Sequence, residues 1–142
     1  MKPVTVRFDD LLEAFEFVSA GQLLEHEAYL CVETGVVHCY SEFEELDEAL
    51  PEDVEDSERY IPIPHKNDLD LGRRLVLDFT EAELAEDLDD VRDMFKHKGA
   101  YSRFKSLLER RSKLQHWYEY EERRTKEALR EWCHENDIQV QD

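Results

Sequence analysis

Apolar residues in the C-terminal half of the chain recur at the spacing of amphipathic helices. Positions three or four residues apart predict a helix over 81–95. Its apolar face consists of Leu84, Leu88, Val91 and Phe95. Thr80 and Glu83 form a capping-box pattern at its start, because such side chains bind the free amides of a first helical turn.

Two helices are predicted after this one. Gly99 separates the helix over 81–95 from the next, whose apolar stripe consists of Tyr101, Phe104, Leu107 and Leu108. Ser112 and Gln115 repeat the capping-box pattern. They precede a long final helix whose apolar positions are Trp117, Tyr118, Ala128, Leu129, Trp132 and Cys133.

A further helix is predicted before residue 81. Asn67 or Asp68 is its N-cap, and Gly72 weakens it. Its apolar residues are Leu71, Leu75, Val76 and Phe79. Because short turns join these helices, they favour antiparallel neighbours and form a helical part over 65–142.

The N-terminal part begins with a predicted helix. Asp10 and Glu13 cap it, and it ends close to Gly21. Its apolar positions are Leu11, Leu12, Phe15 and Val18. Weak alternation in 1–7 indicates an edge strand or a lead-in to this helix, and DIQV at 137–140 indicates a brief extended piece.

Residues 27–40, EAYLCVETGVVHCY, have the composition of a β-hairpin. Strand-forming β-branched and aromatic residues flank Thr34 and Gly35. Gly35 supplies the positive φ that a tight turn or its bulge requires. Loops of two and of three residues place the side chains on opposite faces, so the pattern leaves the register open.

The segment 41–58 contains ten acidic residues and no Lys or Arg. Its apolar spacing predicts a short amphipathic helix before Pro51 and an irregular acidic loop after it. YIPIP at 60–64 is predicted as an edge or irregular extended segment, since Pro62 and Pro64 have no amide donor.

Together these elements predict an α+β fold. A small antiparallel sheet with a β-hairpin packs against a mainly helical C-terminal half. The 142 residues suit a single domain over 1–142. Its α/β part covers 1–64 with the acidic loop at 41–58, and its helical part covers 65–142.

Charge is distributed unevenly along the chain. The formal net charge is -18, from 36 acidic and 18 basic residues. Residues 1–95 have 27 acids and 7 bases (-20), residues 96–115 have 1 acid and 7 bases (+6), and residues 116–142 have 8 acids and 4 bases (-4). We call residues 96–113 the basic island. It predicts a candidate binding surface of Lys96, Lys98, Tyr101, Arg103, Lys105, Arg110, Arg111 and Lys113.

The basic island has two competing interpretations. Cations beside aromatic residues over 96–118 suit nucleic acid, because phosphates attract cations and unpaired bases stack on rings. Against this, the -20 segment repels polyanions, and aromatic residues at helical spacing usually form core. We favour pairing of the island with the acidic helix over 81–95, within one chain or across a homodimer. The acidic surface also permits a mimic of nucleic acid that occupies a basic protein.

The sequence contains no recognised catalytic motif, so we predict no enzyme activity, no catalytic residue and no cofactor. Cys31, Cys39 and Cys133 lack the spacing of a structural zinc site, which predicts reduced thiols and no metal ligands. No apolar run reaches the ~18 to 20 residues of a membrane span, and acids interrupt the first residues where a signal peptide is apolar. We therefore expect a cytoplasmic protein without membrane association.

The order of several motifs resembles that of a known family. The motifs are the ETG hairpin, YIPIP, the GAYSRFK block at 99–105 and the closing helix WYEYEERRTKEALREWCHENDI. They are similar to Uncharacterised Protein Family 0158, a group of bacterial conserved hypothetical proteins, over nearly the whole chain. The resemblance implies a small soluble bacterial protein and carries over no catalytic residue.

These observations predict a noncatalytic protein-interaction or regulatory module. Its expected partner is an unidentified protein or a second copy of the chain. The alternatives are nucleic-acid binding through the basic, aromatic segment 96–118 and acidic mimicry of nucleic acid.

Overall fold

The structure is a computed structural model that describes residues 4–20, 26–41, 50–56 and 58–142. It has the predicted α+β architecture, with a mainly helical C-terminal half. Its strands and helices are β1 (Val4–Arg7), α1 (Phe8–Ala20), β2 (His26–Cys31), β3 (Val37–Ser41), β4 (Tyr60–Pro62), α2 (Arg73–Glu83), α3 (Leu88–Met94), α4 (Ala100–Arg110), α5 (Leu114–Glu135) and β5 (Ile138–Gln141). Short 3₁₀ helices occupy Lys66–Leu69 and Ala85–Asp87.

The chain divides into two compact units. Unit 1 consists of Met1–Leu69 with Ala128–Asp142, and unit 2 consists of Asp70–Glu127. Helix α5 therefore supplies its first part to unit 2 and its last turns to unit 1. The sequence analysis assigns those last turns to the helical part. The single domain over 1–142 stays a prediction.

Strands β2 and β3 form the predicted hairpin, and β4 completes an antiparallel sheet in the order β3-β2-β4. Leu30 lies opposite Val37, and the amide of Cys31 donates to the carbonyl of Val36 at 2.9 Å. The loop is therefore the four residues 32–35, longer than either loop that the sequence analysis considers. Strand β4 lies at an edge of the sheet, as its prolines predict.

Gly35 closes this loop in the predicted left-handed conformation, with a φ of +75°. A Cβ atom at this position would overlap the carbonyl oxygen of Thr5 in β1. Glycine therefore meets two requirements here, since it permits both the turn and the close approach of the β1 backbone.

The two extended pieces at either end of the chain pair with each other. β1 and β5 form a parallel ladder in which Val4 lies opposite Ile138 and Val6 opposite Val140. Val6 and Ile138 are buried. The sequence indicates both strands but not this pairing, because strand pairs distant in sequence leave no local signal.

Helix α1 begins earlier than predicted. It starts at Phe8, directly after β1, so Asp10 lies in its first turn and is not the N-cap. Burial of Phe8 explains the earlier start, because it extends the apolar face by most of a turn. The buried face consists of Phe8, Leu11, Ala14, Phe15 and Val18, and the predicted Leu12 is half-buried.

Two predictions for unit 1 are tested only in part. The turns over 51–56 agree with the irregular loop predicted after Pro51. The helix predicted before Pro51 falls largely on 42–49, and the predicted helix stop falls on Gly21. Both lie outside the described residues.

Arg59 anchors the acidic loop. Its guanidinium lies 3.0 Å from Asp53, 3.8 Å from Asp56 and 3.9 Å from Glu33. The hydroxyl of Tyr60 donates to the second oxygen of Asp53 at 3.2 Å. A single cation thus relieves the mutual repulsion of three carboxylates, which holds the loop beside β4.

The single helix predicted over 81–95 is wrong. Helix α2 runs through Thr80 to Glu83, so this pair does not cap a helix. The Thr80 hydroxyl instead donates to the carbonyl of Val76 at 2.8 Å, inside α2. A 3₁₀ turn then leads into the short helix α3, which divides the acidic segment between three elements.

Two other predicted helix starts are also wrong. Asn67 and Asp68 lie in a 3₁₀ helix, and α2 begins only after Gly72. Ser112 has a φ of +56° and is not an N-cap, because α5 begins at Leu114. A left-handed residue redirects the chain between helices, which is the role that Ser112 takes between α4 and α5.

An aromatic cluster forms the core of unit 2. The buried Trp117 ring meets Phe79 at 5.3 Å and Phe104 at 5.1 Å between centroids, both edge to face. Tyr120 lies 5.2 Å from Phe79. Such pairs contribute about 0.5–1.5 kcal/mol each beyond the area that they bury. Phe104 and Trp117 are therefore core residues, as their helical spacing predicts.

The three cysteines are free thiols in different surroundings. Burial opposes ionisation of Cys31, but the hydroxyl and amide of Thr34 and the amide of Glu33 donate to its sulfur and lower its pKa. Burial raises the pKa of Cys39 and raises the pKa of Cys133 to about 11.

Replacing Gly35 with alanine should destabilise the protein more than replacing Gly99 with alanine. Both glycines have a positive φ, +75° and +78°, so each change costs roughly 1 kcal/mol in backbone conformation. A Cβ atom at Gly99 meets open space, whereas one at Gly35 meets Thr5. We expect urea denaturation to give a free energy of unfolding about 1–3 kcal/mol lower for G35A than for G99A. Equal losses would contradict the close approach of β1.

The Cys31 thiol should ionise at lower pH than the other two. Variants that retain one cysteine each allow the ultraviolet absorbance of each thiolate to be followed as the pH rises. We expect a midpoint below 9.0 for Cys31 and one near 11 for Cys133. Thr34→Val removes a donor to the Cys31 sulfur and should raise its midpoint. A Cys31 midpoint above that of Cys39 would contradict these hydrogen bonds.

Candidate binding surface on α4

Helix α4 carries the middle of the basic island. Gly99, with a φ of +78°, turns the chain into it as predicted. Its buried face consists of Phe104, Leu107 and Leu108. Arg103, Lys105 and Arg110 lie on the remaining faces and are exposed. Lys96 and Lys98, in the turn before Gly99, are exposed as well.

Tyr101 lies at the surface rather than in the core. The sequence analysis includes it in both the inner stripe of α4 and the candidate binding surface. The Tyr101 residue is 40% exposed, and its ring packs edge to face with the ring of Phe95 at 5.0 Å between centroids. Its assignment to the inner stripe is therefore wrong, and its ring is accessible beside the cations.

Arg111 is paired within the chain. Its guanidinium donates to both carboxylate oxygens of Asp87, at 3.0 and 3.1 Å. The Asp87 side chain is 10% exposed, whereas that of Arg111 is 53% exposed. The hydrogen bonds from Arg111 hold the pKa of Asp87 below its usual value, although desolvation opposes them. Arg111 therefore serves the packing of unit 2.

Lys113 is also paired within the chain, since its Nζ lies 3.4 Å from a carboxylate oxygen of Glu83. Glu83 and Asp87 both come from the acidic segment 81–95. The predicted pairing of the island with this segment therefore occurs, but it involves two of the seven basic residues. The two paired carboxylates belong to the end of α2 and to the 3₁₀ turn, not to one acidic helix.

The other five basic residues of the island form no close ion pair with a described residue, although the charge of Arg110 contributes to the lowered pKa of Asp87. In the part of the chain that the structure describes, no ion pair within 4.0 Å is formed by Lys96, Lys98, Arg103, Lys105 or Arg110. The Nζ of Lys105 lies 5.9 Å from the ring centroid of Tyr118, which is 42% exposed. Cations and accessible tyrosine rings thus share one surface.

A shallow groove runs along this surface within unit 2. Its wider part has a volume of ≈ 690 Å³ and is lined by Met94, Ser102, Arg103, Ser106, Glu109 and Arg110. A second hollow of ≈ 370 Å³ shares Met94 and Arg110 and includes Asp90 and Asp93 of α3. The groove therefore has guanidinium and hydroxyl groups and the Glu109 carboxylate on the α4 side, and further carboxylates on the α3 side.

The sequence analysis does not single out Ser102, Ser106 or Met94. Ser102, Ser106 and Arg110 recur four residues apart along α4, which places them on one helical face. That spacing is a signal by which the serines could be found. Met94 has no such signal, because it lies on α3. The sequence analysis predicts one helix over 81–95 instead of this short helix.

The described residues contain no group of three or more His, Cys, Asp or Glu side chains that could hold a metal ion. His65 is buried and accepts the amide of Asn67 on Nδ1 at 3.1 Å. Asp68 accepts the backbone amide of His65 at 3.0 Å. His65 is thus held within the turn. Among the described residues, no helix is both long and apolar enough to span a membrane.

Asp87→Asn should lower the free energy of unfolding at neutral pH by about 1–2 kcal/mol. Hydrogen bonds to a charged partner contribute about 1.5–3 kcal/mol, and the half-exposed guanidinium of Arg111 reduces this. Because folding lowers the pKa of Asp87, the contribution is present above 3.8 and is lost as the pH falls through the lower folded pKa. Urea denaturation should therefore give converging stabilities for variant and parent in acid.

Asp90→Asn is the matched control for this prediction. Asp90 is exposed and forms no ion pair within 4.0 Å in the described part of the chain. We expect its substitution to change the free energy of unfolding by less than about 0.5 kcal/mol. Equal effects of the two substitutions would show that general charge, not the contact with Arg111, determines the stability.

A protein-family model matches nearly the whole chain. It is described as Uncharacterised protein family (UPF0158), and the match covers residues 1–141. The curated proteins and the solved structures yield no significant match. The family match confirms the resemblance based on the ETG hairpin, YIPIP and the GAYSRFK block. The chain therefore belongs to the uncharacterised protein family UPF0158.

Proposed function

We propose that the protein is a noncatalytic interaction module that binds an acidic protein surface through the basic island. The supporting observation is the set of five exposed cations without ion pairs in the described chain. Acids outnumber bases by 36 to 18, so internal counter-charges are abundant. Cations that form no ion pair within 4.0 Å with the described acids favour an external anionic partner.

The groove suits a carboxylate-rich protein segment. The guanidinium groups of Arg103 and Arg110 can each bind a carboxylate with two parallel hydrogen bonds. The Ser106 hydroxyl donates to the carbonyl of Ser102 at 3.1 Å, which leaves its oxygen as an acceptor for a partner amide. Met94 provides an apolar and adaptable contact. This combination of charged, polar and apolar groups is typical of protein interfaces.

Nucleic acid is a less suitable ligand for the same surface. Phe104 and Trp117 are buried in the core, so neither ring can stack on an unpaired base. Their burial removes two of the four Phe, Trp and Tyr rings within 96–118, although Tyr101 and Tyr118 stay exposed. The loss of these two stacking positions supports a protein partner over the nucleic-acid alternative.

Charge reversal on α4 tests the proposal. The tagged double variant R103E/R110E is compared with the parent chain in affinity capture from a lysate, followed by identification of the bound proteins. R73E/R74E is the control, since it makes the same charge change at two exposed positions of α2. We expect R103E/R110E to retain at least about ten-fold less partner, and the control to retain all of it.

Three outcomes separate the alternatives. Capture of the partner by R103E/R110E at the level of the parent chain would contradict the proposal. An equal loss of capture by the control R73E/R74E would contradict it as well. Loss of the captured material after nuclease treatment would favour nucleic acid. If light scattering shows a dimer of the parent chain that R103E/R110E dissociates, the acidic partner is a second copy.

A further inference from the structure

A second surface, of opposite charge, lies in unit 1 at the outer edge of the three-stranded sheet. Among the described residues β3 pairs with β2 alone, because the strand order is β3-β2-β4. The amide of Cys31 donates to the carbonyl of Val36, which sets the alternation of bonded positions along the hairpin. The amides and carbonyls of Val37 and Cys39 therefore point away from β2.

The two edges of this sheet differ in how they resist further pairing. β4 contains Pro62 and is followed by Pro64, which cannot donate to an added strand. β3 has the sequence VHCYS, without proline, Lys or Arg. Its register with β2 is continuous from Ser41 to Val37, without a bulge. Within its described residues the β3 edge thus has no proline, Lys, Arg or bulge, which natural edge strands use against strand addition.

Exposed apolar side chains accompany the same edge. Val36 is 48% exposed and Tyr40 is 40% exposed, and they are two of the four large hydrophobic residues exposed in the described chain. Strand alternation places Val36, His38 and Tyr40 on one face. The ring of Tyr60 lies 6.1 Å from that of His38. A strand added to β3 would place every second side chain beside this aromatic face.

The surrounding charge selects the partner. Unit 1 is acidic as a whole, since its described residues contain 16 acids and four Lys or Arg residues. Arg59 compensates Glu33, Asp53 and Asp56 towards β4, whereas Glu27 is in no ion pair within 4.0 Å among the described residues. Glu27 lies directly opposite Tyr40 across the hairpin. A second copy of β3 would bring the same acids and be repelled, whereas a strand with Lys or Arg would be attracted.

We propose that the β3 edge binds an extended, Lys- or Arg-containing segment of a partner protein as an added strand. Val37 and Cys39 supply the backbone hydrogen bonds, and Val36 and Tyr40 supply apolar contacts. Glu27, one strand further in and bonded to the Tyr29 hydroxyl at 3.1 Å, adds negative charge that attracts a basic side chain. The basic island binds an acidic surface from unit 2, so this inference concerns a different surface and a different partner. It does not depend on the function proposed above.

A synthetic peptide tests the inference directly. The probe is a fluorescent peptide in which Lys alternates with Val or Thr, long enough to cover β3. One control peptide has Glu in place of Lys. The other keeps Lys but carries N-methyl groups on alternate amides, which preserves the charge and removes strand hydrogen bonds. We expect fluorescence anisotropy to show binding of the Lys peptide, weakened at least about ten-fold by either change.

Variants of the protein locate the site. Tyr40→Lys places a like charge on the edge, and Cys39→Pro removes an outward amide without breaking the ladder to β2. Tyr118→Lys is the matched control, because it makes the same change at a residue of similar exposure in unit 2. We expect the first two to weaken peptide binding at least about ten-fold and the control to leave it unchanged, with equal far-ultraviolet circular dichroism.

Several results would overturn the inference. They are absence of binding, equal binding of the N-methylated or Glu peptide, and equal loss of binding in Tyr118→Lys. A dimer of the parent chain that Tyr40→Lys dissociates would also overturn it, since the occupant of the edge would then be a second copy.

Discussion

The packing of Trp117 against Phe79 and Phe104 determines which side of α4 faces outward. The side chains of a helix have fixed directions relative to one another. Burial of Phe104 therefore places Arg103 and Arg110 on the remaining faces of α4. These aromatic contacts do not depend on charge, so a segment of net charge +6 persists in a chain of net charge -18. The core thus sets the position of the cations. The aromatic packing does not prevent these cations from forming ion pairs. Their lack of ion pairs among the described residues is therefore evidence about function.

The structure accommodates its surplus of acids in ways that differ with burial. Arg59 lies among exposed carboxylates, where ion pairs contribute only about 0–1 kcal/mol each and mainly order the loop. Arg111 instead compensates Asp87, a carboxylate that is itself buried. Glu27 near the β3 edge and five cations of the basic island form no ion pair within 4.0 Å among the described residues. Under the two proposals, one chain binds two different proteins.

The sequence predicts the parts of the fold that local patterns encode. The hairpin, the edge position of β4 and the buried face of α4 follow from residue type and periodicity. The helix starts are less reliable, because Thr80 bonds to a carbonyl inside α2 as readily as it caps an end. At the candidate site, helical spacing predicts exposed cations. It does not predict that Arg111 forms its ion pair with Asp87. The sequence has 36 acidic residues, and only the fold determines which of them lies beside Arg111.

The parallel ladder between β1 and β5 has a consequence for biosynthesis. Val6 in β1 is buried against elements that include the last strand of the chain. The ribosome releases that strand after every residue of unit 2, so β1 leaves the exit tunnel long before its partner exists. Unit 2 is continuous in sequence, whereas unit 1 remains incomplete until β5 has been synthesised. During that interval β1 lacks the partner strand of its ladder, so the nascent chain exposes apolar side chains that the folded protein buries.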